Sequence, residues 1–65
     1  MNKKLIKYLL EGTAQTFKNL SEFNAKDFED TDDGFFKGKA NAYDLAKRHI
    51  ESLVEIYFTD NTSEQ

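Results

Sequence analysis

Between Glu22 and Gly34 the chain carries six carboxylates against a single lysine, Lys26. Such a run could hold a hard cation, because calcium is bound by about six to eight oxygen ligands supplied at fixed spacing along a loop. Aligning Gly34 with the turn glycine of a calcium loop places Glu29, Thr31 and Asp33 at early ligand positions. The bidentate glutamate that should follow about six residues after that glycine is Ala40, so the site is incomplete and the motif fails. His49 is the only histidine and there is no cysteine. Its neighbours Asp44 and Glu51 stand at offsets that do not share its helix face. The tyrosines, serines and threonines form no nucleophile–base arrangement. The expectation is a non-enzymatic chain with no catalytic residue, cofactor site or metal site.

What remains is surface chemistry. Asp27, Glu29 and Asp30, with Glu22, Asp32 and Asp33, could steer a basic protein surface or mimic a nucleic acid through their summed field. The plainer reading is a solvated turn that caps the following helix. Phe23, Phe28, Phe35 and Phe36 crowd the same region. They read as a local core closing the turn, or, for Phe28 and Phe35, as interface anchors. Leu45 and Ile56 fall nearly opposite the main apolar stripe of their helix with His49 beside them, which suggests a second contact. Asp27, Phe28, Glu29, Asp30, Phe35, Leu45, His49 and Ile56 are therefore the expected partner-binding residues.

Two helices must position these groups. The first runs from about Lys3 to Phe23, with Leu5, Ile6, Leu9, Leu10, Thr13, Phe17 and Leu20 on one face. Whether it ends near Phe23 or continues to Phe28 is open, and a break is expected within Asp30 to Asp33. Gly12 inside it is a tolerated weak helix former or a point of close approach. The second helix runs from Phe35 to Phe58, capped by Thr31, Asp32 or Asp33. Phe36, Ala40, Tyr43, Ile50, Val54 and Tyr57 recur at helical spacing along it, flanked by Ala46 and Leu53.

An antiparallel helical hairpin is the simplest all-α fold. A turn near Asp30 would set Phe17 against the region of Ala40 and Leu9 against Ala46 and Lys47, and bring Lys3, Lys4 and Lys7 towards Glu51 and Glu55. The apolar arc of the second helix covers roughly 160° at about 100° per residue, more than one neighbour can bury. A homodimer forming a four-helix bundle is the economical way to cover it, and a heterologous partner would satisfy the same geometry. Residues 1–58 form one domain on this reading, and 59–65 a disordered polar tail.

Composition narrows the classes further. At 65 residues without cysteine, neither a disulfide nor a thiolate metal site can support a core barely sufficient on its own. The net charge of −3 argues against nucleic-acid binding, and Asp44, Glu51 and Glu55 interrupt the positive charges of the second helix. Lys7 splits the leading apolar run, so it makes neither a signal peptide nor a membrane span. A soluble chain in the cytoplasm of a bacterial host is the expectation.

The segment Phe35-Phe36-Lys37-Gly38-Lys39-Ala40-Asn41-Ala42-Tyr43-Asp44-Leu45-Ala46 resembles a glycine-lysine-x-x-alanine-tyrosine pattern found in small uncharacterised proteins of bacteriophages and mobile elements. The resemblance implies an accessory protein that modulates or inhibits a bacterial host protein or defence system, and it transfers no site residues. Small helical-hairpin regulators of sporulation kinases are an analogy at the level of fold alone. A self-associating structural module with no separate target is the alternative.

Overall fold

Polar side chains start and stop each helix. In the computed structural model, which describes residues 2–58, α1 spans Lys3–Thr31 and α2 spans Gly34–Tyr57. Asn2 opens α1, its side-chain oxygen accepting from the backbone N–H of Lys4 at 2.7 Å and of Leu5 at 3.4 Å. Such a cap satisfies amide donors that have no partner within the helix. At the far end the Asp32 N–H donates to the Phe28 carbonyl at 2.7 Å, and Asp32 adopts the left-handed conformation at φ 56°, ψ 28°. Asp33 then caps α2 by accepting from the Phe35 N–H at 3.0 Å. Thr31 ties the corner, donating to the Asp27 carbonyl at 2.7 Å and accepting from the Asp33 N–H at 3.2 Å.

The break therefore falls at Asp32–Asp33, inside the expected window, but α1 continues past both Phe23 and Phe28. With no proline or glycine between Phe23 and Thr31, nothing stops propagation there. Residues 59–65, expected as a disordered tail, lie outside the described residues.

The helices lie antiparallel as a hairpin. Ile6, Leu10, Ala14, Phe17, Leu20, Ser21, Asn24 and Phe28 turn inward on α1. They meet Phe36, Ala40, Tyr43, Ala46, Ile50 and Val54 on α2. The Phe17 and Tyr43 rings stack with centroids 5.9 Å apart, and Ser21 Oγ donates to the Ala40 carbonyl at 2.8 Å. Small residues mark the closest approach, since Ala14 and Ala40 are 5% and 7% exposed. Asn24, 4% exposed, returns its amide N–H to the Leu20 carbonyl at 2.8 Å.

Several expected contacts are replaced. Leu5 and Leu9 turn outward, as do Leu53 and Tyr57. The seam uses Ala14, Ser21 and Asn24 because a close helix crossing needs short side chains, which hydrophobicity alone does not mark. Phe17 meets Tyr43, less than a turn beyond Ala40, and Leu9 faces solvent instead of Ala46 and Lys47. Among the described residues the ion pairs are all within a helix: Lys26–Asp30, Lys47 with Asp44 and Glu51, and Arg48–Asp44. Lys3, Lys4 and Lys7 do not pair with Glu51 and Glu55. A Cβ built on Gly12 would meet nothing within 4 Å, so Gly12 is no point of close approach within the hairpin.

Candidate interaction surface

Two helices have only one seam, and everything else stays in water. Among the described residues just Ala14, Asn24 and Ala40 are buried, and no large side chain is fully enclosed. Leu5, Tyr8, Leu9, Phe23, Phe35, Leu45, Leu53, Ile56 and Tyr57 are each more than two-fifths exposed. Single exposed apolar residues are ordinary on a protein surface, whereas a contiguous patch marks an interaction site.

Their arrangement follows from helical geometry. On one side of the hairpin Glu11, Gln15 and Lys18 of α1 and Glu51 and Glu55 of α2 rim an open cleft of about 380 Å³, floored by Ala14 and Val54. This cleft identifies the flanks of the two helices that share a side. At about 100° per residue, Leu5, Leu9, Thr16, Leu20 and Phe23 lie on the other flank of α1. Phe35, Ala42, Leu53 and Tyr57 lie on the other flank of α2. The hairpin thus has a charged side and a largely apolar side, on which the half-buried Asp27 and Lys39 are the charged residues near the turn. The apolar side is bulky at both ends, with Leu5, Leu9, Leu53 and Tyr57 at the open end and Phe23 and Phe35 at the turn. Between them it narrows to Thr13, Thr16, Ala42 and Ala46.

The residues expected to bind a partner do not gather at one place. Asp27, Phe28, Glu29 and Asp30 sit in the last two turns of α1, where consecutive side chains spread around the helix and cannot share a face. Phe28 is half-buried beneath Lys37, whose Nζ stands 5.7 Å from the ring centroid, and Asp27 is also half-buried. Glu29 and Asp30 are exposed, and Lys26 reaches Asp30 at 3.9 Å. Phe35 is 64% exposed, edge-on to Phe36 and with Lys39 Nζ at 5.4 Å from its centroid. The aromatic cluster at the turn is therefore split, with Phe28 and Phe36 inside and Phe23 and Phe35 outside.

Leu45, His49 and Ile56 lie together on the outer surface of α2, adjoining the apolar side through Ala42 and Leu53. Leu5, Leu9, Phe23, Leu53 and Tyr57 belong to the exposed surface, although their hydrophobicity pointed to the interior. The signal was the width of the α1 stripe, which carries Leu5–Leu9 and Ile6–Leu10 side by side when one neighbour can cover only one of the pairs.

Among the described residues no three His, Cys, Asp or Glu side chains are grouped so as to hold a metal ion, and no helix is long and apolar enough to cross a membrane. Comparison with protein-family models, with curated proteins and with solved structures finds no match.

Proposed function

We propose that this chain is a small non-enzymatic protein-binding module whose working surface is the apolar side of the hairpin. The observation that carries this reading is the imbalance, among the described residues, between three buried residues and nine large exposed apolar ones. A single core in a chain this short rarely supplies more than about 3–5 kcal/mol, so a folded state gains from covering this side. Association into a four-helix bundle is part of the proposal, because a second helix pair laid on the first completes a two-layer core. The proposal that the target includes a bacterial host protein, and that the chain belongs to a phage or mobile element, rests on the resemblance of Phe35–Ala46.

Leu9→Glu with Leu53→Glu tests the surface. Both side chains are more than two-fifths exposed, so the paired variant retains its helices in a dilute monomer but loses association. Equal association of variant and wild type, by light scattering over a concentration series, would count against this side of the hairpin.

A further inference from the structure

The apolar side needs an occupant, and three features point to the same one. We propose that a second copy of the chain covers it, lying antiparallel so that the acidic turn of one protomer lies level with the open end of the other. This rests on the reading of that side as a protein-binding surface.

The first feature is area. The described residues expose 5043 Å², at least ~800 Å² more than the ~4,200 Å² expected of a compact monomer of the full 7.5 kDa. The described residues have a radius of gyration of 15.0 Å, against about 11 Å for a compact chain of similar length. A standard protein–protein interface removes about 800 Å² from each partner. One copy laid on another thickens the thinnest dimension of a body measuring 50 × 17 × 13 Å and removes an excess of that order.

The second feature is charge. Lys3, Lys4 and Lys7 precede any acid on α1, and Asp27, Glu29 and Asp30 close it, with no acid in its first turn and no base in its last. Both placements oppose the dipole of α1, which favours acids at the N-terminus and bases at the C-terminus. The neighbouring ends of α2 offset part of this within the hairpin. In an antiparallel pair α1 lies on the α1 of the partner, and the acidic C-terminal end of each comes level with the N-terminal end of the other, whose dipole is complementary. Asp27, eighteen residues or about five turns from Leu9, is the carboxylate on the apolar flank. A head-to-head pair would instead place two acidic turns together. Like charges brought within a Debye length of about 8–10 Å repel.

The third feature is shape. A two-fold axis lying in the interface and crossing the hairpin at Thr16 sets Thr16 against its own copy. It brings Leu9 opposite Phe23, which stand seven residues either side of Thr16. The narrow centre of Thr13, Thr16, Ala42 and Ala46 admits close helix approach, while the bulky ends interlock.

The absence of native cysteine makes a cross-linking test clean. Thr16→Cys, Leu9→Cys and Phe23→Cys are made in the full chain, checked for wild-type helicity, and bridged with a short bismaleimide. The proposal expects Thr16→Cys to link to itself and mixed Leu9→Cys with Phe23→Cys to link to each other. Leu9→Cys alone and Phe23→Cys alone remain uncoupled, and added salt weakens the wild-type dimer. A dimer by mass without these links overturns the antiparallel arrangement and leaves self-association standing. A folded wild-type monomer at all accessible concentrations overturns the second copy as occupant. In that case loss of binding to a separate target by Leu9→Glu with Leu53→Glu would leave the protein-binding reading intact.

Discussion

Removing the Phe17 ring measures how much of the hairpin rests on its seam. Phe17 is half-buried and stacks on Tyr43 at 5.9 Å. A fully buried aromatic removes about 150–250 Å² from water, so Phe17→Ala forfeits on the order of 100 Å². At ~25 cal/mol per Å² that is about 2.5 kcal/mol, and loss of the stacked pair adds about 0.5–1.5 kcal/mol. An unfolded chain that already hides part of this area lowers the sum, leaving about 2–3 kcal/mol. For a domain of this size 1 kcal/mol moves the melting midpoint by about 4–8 °C, so a fall of more than about 10 °C is expected. Urea and thermal unfolding followed by circular dichroism, at concentrations where wild type is monomeric, provide the assay. Phe23→Ala is the matched control, since Phe23 is 66% exposed and its loss from a monomer stays within about 0.5 kcal/mol. Equal effects of the two substitutions under those conditions would refute the assignment of Phe17 to the seam.

Three further outcomes follow from the same geometry. Gly12→Ala raises hairpin stability by about 0.5–1 kcal/mol in thermal melts, because the added methyl meets nothing within 4 Å and alanine is the better helix former. Asp33→Ala lowers it by about 1 kcal/mol through loss of the acceptor for the Phe35 N–H, whereas Asp32→Gly relieves the left-handed φ of 56° and is neutral or stabilising. Replacing Asp27, Glu29 and Asp30 with asparagine or glutamine leaves the fold intact, as the exposed Lys26–Asp30 pair contributes only ~0–1 kcal/mol. It also weakens association at low salt, and a variant that associates as tightly as wild type would remove the acidic turn from the interface.

Much of the hairpin was legible because capping chemistry is local. The Thr31-Asp32-Asp33 run announces the corner, and Asp33 caps α2 as its residue type suggests. The inward face of α2 was legible for Phe36, Ala40, Tyr43, Ile50 and Val54, whose spacing repeats over many turns. On α1 the largest side chains misled. Leu5 and Leu9 are as hydrophobic as Ile6 and Leu10, and only the partner helix decides which pair is covered. The half-buried Lys7, Lys39 and Lys47 add to this, because their stems lie along apolar surface while the charge reaches water. The apolar side itself depends on both helices at once. Its extent is set by which flanks of α1 and α2 lie together, and the cleft lined by Glu11, Lys18, Glu51 and Glu55 marks the opposite pair.

The claim that the apolar side is occupied by a second copy is tested most directly by sedimentation equilibrium of the full chain from micromolar to millimolar concentration. A mass of about twice 7.5 kDa is expected at the upper end, falling towards one chain on dilution and on raising salt. A fully helical species of 7.5 kDa throughout that range would contradict it.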